Sequence, residues 1–230
     1  MKTLEQAFQE LPLFADVPTT IFPILLNGAV EMTYKAKEII IGEGESPSGL
    51  YILLNGTAKL YKSSPEGKEQ TLFVLTDGEP FCLCSTFRKK PFPVTAAALT
   101  PCRVVSISKQ SFFAAADKDT AFLFSMLQKV SERLRDAMEL AGTLSLQEVP
   151  QRIATFIAKL DPQTISSDQS TIYLPMSHKE LAKVIGATPE ALSRTLKRMN
   201  EQGIISTDGR HVHILDRSLL EQCAELGLSS

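Results

Sequence analysis

Residues Asp117 to Leu146 read DKDTAFLFSMLQKVSERLRDAMELAGTLSL, and this stretch decides the fold because it separates a β-rich half from a helical half. Leu127, Val130, Leu134, Ala137, Ala141 and Leu144 fall three, four, three, four and three residues apart, with Leu123 one step upstream. That is a heptad stripe. Lys129, Glu132, Arg133, Arg135, Asp136 and Glu139 take the faces that a two-stranded coil leaves to water, and no glycine or proline falls between Asp117 and Ala141. The pattern predicts one long helix whose apolar seam is too narrow to lie on a globular core. We therefore read Leu123, Leu127, Val130, Leu134, Ala137, Ala141 and Leu144 as the interface of a homodimer, with a core helix inside one subunit as the alternative.

The rest of the composition is that of a water-soluble protein. A chain of 230 residues with a net charge of −2 has room for two domains and can bury real cores. No apolar run approaches the roughly 18 residues needed to span a bilayer, and the N-terminus lacks a basic segment followed by an apolar one, so a cytoplasmic location and no membrane partner are expected. Cys82, Cys84, Cys102 and Cys223 are too few and too unevenly placed for a secreted disulfide framework.

Upstream of the long helix, Leu4, Ala7, Phe8 and Leu11 share a helical face, and Ile21, Ile24 and Leu25 give a second short helix, broken near Pro23. From Val30 to Ser108 the period changes. Leu50, Ile52 and Leu54 alternate, Ala58 and Leu60 continue past Asn55-Gly56, and Leu72 and Val74 follow Pro65-Glu66-Gly67. Glycine-marked turns at about ten-residue intervals favour a small antiparallel barrel or roll. Val105 and Ile107 share the face of a last strand, which runs into a helical segment near Lys109.

Downstream, Ser145 to Glu148 reads as a hinge and Val149-Pro150-Gln151-Arg152-Ile153-Ala154 as the start of another helix, Pro150 being tolerated in its first turn. Asp161 to Ser170 is polar and reads as a loop. Ser177 with Glu180 makes a capping box, Gly186 supplies the positive φ that ends the helix, and Thr188-Pro189 caps and opens the next. This is helix, tight turn, helix. Ala182 is small where the helices cross, and Leu192 faces inward. Glu190, Ser193, Arg194 and Lys197 then share the outer face of the second helix. Arg194 can donate twice to guanine, Glu190 can accept from cytosine, and Ser193 can reach a base edge or a phosphate. Gly203-Ile204-Ile205 and Val212-His213-Ile214, joined through Thr207 to Arg210, form a hairpin whose tip residue Arg210 would touch phosphates. Ser177, His178 and Thr188 at the helix starts complete the candidate DNA-binding set. From Lys179 to Arg210 there are six Lys/Arg against four Asp/Glu, a modest positive balance.

In this order of parts the chain resembles the CRP/FNR family of bacterial transcription regulators along almost its whole length. Gly42-Glu43-Gly44-Glu45, Leu50 to Gly56, Glu66-Gly67-Lys68-Glu69 and Asp77-Gly78-Glu79 are similar to the turns of the family's β-roll sensor. The seam helix resembles its dimerisation helix, and Ser177 to Arg198 its helix-turn-helix. The resemblance implies an α+β fold: an N-terminal antiparallel β-roll (a cyclic-nucleotide-binding-like jelly roll) over 1–116, a long dimerisation helix and hinge over 117–146, and a C-terminal winged helix-turn-helix over 147–230. Glu190-Ala191-Leu192-Ser193-Arg194 resembles the Glu-x-x-Ser-Arg arrangement of the FNR branch, which implies TTGA-type half-sites in a palindromic double-stranded operator. RNA polymerase is the further partner if the protein activates.

The sensor departs from the family pattern. Cyclic-nucleotide members carry a Gly-Glu pair for the ribose and an Arg-Ser or Arg-Thr pair for the phosphate, where this chain has Cys82-Leu83 and Phe92-Pro93. Burying a cyclic phosphate without a cation would cost several kcal/mol, which argues against cyclic AMP. Arg88, Lys89 and Lys90 are the nearest cations. An FNR-type iron–sulfur cluster needs N-terminal cysteines, and the first here is Cys82. The cofactor is therefore unassigned. Phe81, Cys82, Cys84, Phe92 and Met126 are the candidate effector pocket, with Cys82 and Cys84 on one side of an expected strand. Haem with a gas such as nitric oxide or carbon monoxide is one effector reading, although residues 1–177 contain no histidine; a small apolar molecule or thiol redox is another. No metal site and no catalytic residue is expected, since no nucleophile motif or phosphate-binding glycine loop occurs. A regulatory module that does not bind DNA is the remaining alternative.

Overall fold

The computed structural model describes residues 3–88, 90–160 and 171–228; the expected loop over 161–170 and Lys89 lie outside them. The chain divides into two compact units, Met1–Lys68 with Leu72–Ala137 and Glu69–Thr71 with Met138–Ser230.

The first unit opens with α1 (Leu4–Glu10) and α2 (Phe22–Leu26). Thr3 and Gln6 form a reciprocal capping box at the start of α1. Pro23 sits in the first turn of α2, so it opens this helix where the sequence suggested a break: a missing N–H costs nothing there. Then come β1 (Val30–Tyr34), β2 (Ile39–Ile41), β3 (Gly49–Asn55), β4 (Ala58–Ser63), β5 (Glu69–Leu75) and the two-residue β6 (Pro80–Phe81). A short α3 (Leu83–Phe87) precedes β7 (Thr95–Ala98), β8 (Cys102–Ser108) and α4 (Lys109–Lys118). The strands make two four-stranded sheets, in the orders β1-β8-β3-β6 and β2-β7-β4-β5, with antiparallel pairing. This is the expected roll. Gly49 is required there, because a Cβ would meet Ile107 O at 1.8 Å.

Alternation along β8 distributes its side chains between two cores. Val105 and Ile107 join Leu50 and Ile52 against the helices, and Val104 joins Leu53, Ala58 and Leu75 inside the roll. The helical side is an aromatic cluster in which Phe8 stacks on Phe14 at 4.8 Å and Phe112 meets Phe122 edge-on at 5.4 Å. Each such buried ring stabilises the unit by about 1.5–3 kcal/mol.

The long helix α5 (Thr120–Leu146) starts three residues later than the heptad suggested. Asp119 is extended, at φ −140° and ψ 119°, and its carboxylate accepts from Phe122 N at 2.8 Å, so it separates α4 from α5. Phe122 and Met126 are buried in the first unit. Leu127 and Leu134, both 56% exposed, lie on the neighbouring face with Leu123 and Val130.

The second unit continues with α6 (Val149–Leu160), β9 (Thr171–Tyr173), α7 (His178–Ile185), α8 (Pro189–Glu201), β10 (Ile205–Asp208), β11 (His211–Ile214) and α9 (Arg217–Leu226). The sheet order is β10-β11-β9. β10 and β11 form the expected hairpin, with Asp208 opposite His211 and the turn at Gly209 and Arg210. Strand β9 was not anticipated; its buried Ile172 has meaning only once paired with Val212.

Candidate nucleic-acid interface and sensor core

The helix pair α7–α8 is built from local signals that its sequence carries openly. Ser177 Oγ accepts from Glu180 N at 3.3 Å, Gly186 ends α7 at φ 71°, and Thr188 Oγ1 accepts from Ala191 N at 3.2 Å with Pro189 following. Leu181, Ala182 and Ile185 of α7 and Leu192, Leu196 and Met199 of α8 are buried. Thr195 is buried as well, and its hydroxyl donates to Ala191 O at 2.9 Å. With that face fixed, Glu190, Ser193, Arg194 and Lys197 are left exposed together on the other side of α8. The Glu190 carboxyl is held below its usual range by its own backbone amide and the Thr188 hydroxyl, with Arg194 adding a smaller attraction. It is thus an acceptor at neutral pH, the state that a cytosine amino group needs.

The other candidates belong to neighbouring elements of the second unit. Ser177 and Thr188 use their hydroxyls as the caps of α7 and α8. His178 sits in the first turn of α7 with Nε2 buried and without a partner. At the hairpin tip the Arg210 guanidinium lies 4.6 Å over the Tyr173 ring, and His213 Nδ1 is 2.8 Å from Thr171 Oγ1. Tyr173, half exposed, supports Arg210 from β9. Sequence reasoning missed it because the strand that carries it is three residues long.

The five effector-pocket candidates are not brought together. Phe81, Cys82 and Phe92 are buried in the core of the roll, Met126 is buried in the helical core, and Cys84 is exposed. The strand expected through Cys82 and Cys84 is absent. Cys82 has φ 64° and opens α3, so Cys84 turns outward on a helix while Cys82 points in. Burial pushes the Cys82 thiol far above its ordinary value, which favours the protonated form among the apolar side chains of the roll core. Phe92 is held by its backbone, donating to Glu45 O at 2.7 Å and accepting from Gly44 N at 2.8 Å. A buried phenyl therefore stands where the expected phosphate cation is missing.

A separate cleft of about 260 Å³ in the same unit is lined by Leu13, Asp16, Asp77, Glu79, Lys129 and Glu132, among others. Its charges are largely committed. Asp77 accepts from Gly56 N at 2.7 Å, Glu79 pairs with Arg133 at 2.6 Å, and Lys129 pairs with Glu132 at 2.8 Å. Arg133 also lies 5.0 Å over the Phe73 ring. Seam residues Leu123, Leu127, Val130, Leu134, Ala137 and Ala141 are exposed, but Leu144 departs from the seam: its Cδ2 would be 2.7 Å from a Cβ at Gly186. Among the described residues no group of His, Cys, Asp and Glu could hold a metal ion, and no helix is long and apolar enough to cross a membrane.

Comparison with known proteins matches the two halves of the chain separately. A cyclic nucleotide-binding domain family matches residues 31–119, and a Crp-like helix-turn-helix domain family matches residues 151–223. The transcriptional activator protein anr of Pseudomonas aeruginosa is 27% identical over 195 residues, 84% of this chain and 79% of that protein. The cyclic AMP receptor protein of Thermus thermophilus is 24% identical over 93% of this chain and 96% of its own. Among solved structures, FixK2 from Bradyrhizobium japonicum superposes with a TM-score of 0.73 at 25% identity, covering 88% of this chain and 98% of that one.

Proposed function

The chain belongs to the CRP/FNR family of DNA-binding transcription regulators and is not an enzyme, and from that premise we propose that it works as a homodimer reading an inverted repeat of TTGA-like half-sites. The observation that carries the reading is the solvent face of α8, where Glu190, Ser193, Arg194 and Lys197 stand clear of the protein on a helix capped at its N-terminus. A helix of this diameter enters a major groove, and two of them related by a two-fold axis along α5 would meet grooves about 34 Å apart. The exposed seam of α5 supports that axis, since Leu123, Leu127 and Leu134 stay about half exposed within the subunit.

The effector proposed for the first unit is a small apolar molecule or a haem-borne gas rather than a cyclic phosphate. What supports this is the buried Phe92 and the apolar character of the roll core around it. Its binding would act by shifting the population of the operator-competent arrangement.

A labelled duplex carrying the TTGA palindrome should be shifted at protein concentrations at least about a thousandfold below those needed for a scrambled duplex. Equal affinity for both would sink the sequence-specific reading. Haem titration of the dimer addresses the effector: saturation at one per subunit with a gas-dependent spectrum supports haem, and unsaturable binding removes it.

A further inference from the structure

The β10–β11 hairpin ends in a two-residue turn whose parts are fixed by separate contacts. Gly209 takes the positive φ that the turn needs, at 57°, and a Cβ there would meet nothing within 4 Å, so the tip stands in open space. The carbonyl of Arg210 accepts from Leu174 N at 2.8 Å, which ties the turn to the chain just after β9. Its guanidinium lies 4.6 Å over the ring of Tyr173. The ring is itself held. Register places Tyr173 opposite His211 and His211 opposite Asp208, and the Tyr173 and His211 rings meet at 5.2 Å with a 55° tilt. Two residues back along β9, Thr171 Oγ1 and His213 Nδ1 are 2.8 Å apart, which pins the start of the same strand.

This setting differs from that of other cations in the unit. Lys183 pairs with Glu180 at 2.9 Å, and Lys197 lies 3.7 Å from Glu201. Among the described residues no carboxylate pairs with Arg210. A ring covers one face of a guanidinium but leaves its N–H edge free, so stacking orders the group without consuming donors. An unordered arginine gives up rotamer freedom when it grips a phosphate, and one already stacked gives up less. Nor is the ring spent on the core. Ile172 and Val212 are the buried residues of β9 and this part of β11, whereas Tyr173 is 51% exposed.

We propose that Tyr173 is a positioning residue for DNA binding: its ring holds the Arg210 guanidinium at the hairpin tip before the duplex arrives, with the N–H edge free for a phosphate. The gain is affinity without sequence preference, because a phosphate carries no base identity. This role rests on the DNA reading above and adds to it a residue that acts through Arg210.

Two measurements on the full-length protein separate the stack from its use. Without DNA, the Arg210 side-chain protons should resonate upfield of ordinary arginine values in a proton–carbon correlation spectrum. Tyr173→Ala should return them to ordinary values, and Tyr173→Phe, which keeps the ring, should not. Ordinary shifts in the parent overturn the proposal. With DNA, Tyr173→Ala should weaken the TTGA palindrome and a scrambled duplex alike, by about two- to fivefold, and leave the salt slope unchanged because the cation is still present. Tyr173→Phe should bind like the parent. Arg210→Ala should cost about fivefold at about 0.15 M salt and lower that slope by about one. Adding Tyr173→Ala to Arg210→Ala should then cost nothing more. A further loss of the same size would mean that the tyrosine only holds β9 together, which overturns the positioning role. If Tyr173→Ala fails to fold by circular dichroism, Tyr173→Thr, a good strand former without a ring, takes its place. Duplex binding that Tyr173→Ala leaves untouched overturns this role alone. A parent that shows the stack but binds no duplex removes the DNA reading and this role with it.

Discussion

Arg194 and Lys197 are three residues apart on the same exposed face of α8, yet their removal should fail in different ways. A guanidinium can donate two parallel bonds to a guanine edge, whereas an ammonium is a point charge suited to a phosphate. Arg194→Ala is expected to cost about 1–3 kcal/mol on the operator and to relax preference at one base pair; Lys197→Ala should weaken all duplexes alike and lower the salt slope by about one. Electrophoretic titration on operator variants at several salt concentrations checks both, and an Arg194→Ala protein that binds its operator as well as the parent would refute the assignment. Thiols give a second residue-level prediction. Cys84 is exposed while Cys82, Cys102 and Cys223 are buried with raised pKa values, so one thiol per folded subunit should react quickly with a disulfide reagent and the other three on unfolding. The sign of the pH dependence follows. Above an ordinary thiol value of about 9.0 the unfolded chain loses these protons and the folded one keeps them, so stability is full below that pH and falls as pH rises beyond it. Cys82→Ala should flatten the fall measured by urea titration; an unchanged slope would show that the buried thiol does not cause it. None of this was legible at Cys82 itself, because a positive φ on a non-glycine residue is imposed by the packing around it.

At the scale of elements, what could be read in advance were features with local causes. The α7–α8 pair is announced by Ser177, Gly186, Thr188 and Pro189, each acting on its own backbone within three or four residues, and the structure shows those caps in place. Elements whose cause is distant were misread or missed. Strand β9 depends on pairing with β11; the start of α5 was misread although its cause, the Asp119 cap on Phe122 N, is as local as those of α7 and α8. The seam was legible as a period, but period alone does not assign a partner to each position: Leu144 keeps the heptad register and packs on Gly186 instead. The remaining seam leucines make a direct prediction. Leu134→Asp puts a carboxylate on a position that is 56% exposed in its own subunit, so folding should be spared. In a dimer the same change removes about 1.5–3 kcal/mol of burial per subunit and adds a charge near its two-fold mate. Sedimentation should show monomers, with the circular dichroism of the parent. A variant still dimeric at micromolar concentration would place the dimer contact elsewhere.

For the whole molecule, the division into two units carries the final expectation. Each unit has its own buried core, built around Phe8, Phe14 and Phe122 in one and around Ile153, Ile157, Leu192 and Met199 in the other. Cores that share few side chains need not melt together, and a chain of two such units departs from two-state behaviour. Scanning calorimetry should therefore resolve two transitions. Operator DNA binds the second unit, so at a hundredfold excess over Kd it should stabilise that transition by about 2.7 kcal/mol, which is several degrees for a unit of this size. An effector of the first unit should raise the other transition. If effector and operator are coupled, the factor by which effector tightens operator must equal the factor by which operator tightens effector, and both can be read from shifts measured with one ligand and then with two. A coupling carried through α5 should shrink when the helix is interrupted between the units, for instance by a Gly-Gly insertion after Ala137, while each single-ligand shift survives. Coupling that outlasts such an interruption, or a single transition that moves as a whole with either ligand, would show that the signal does not travel along α5.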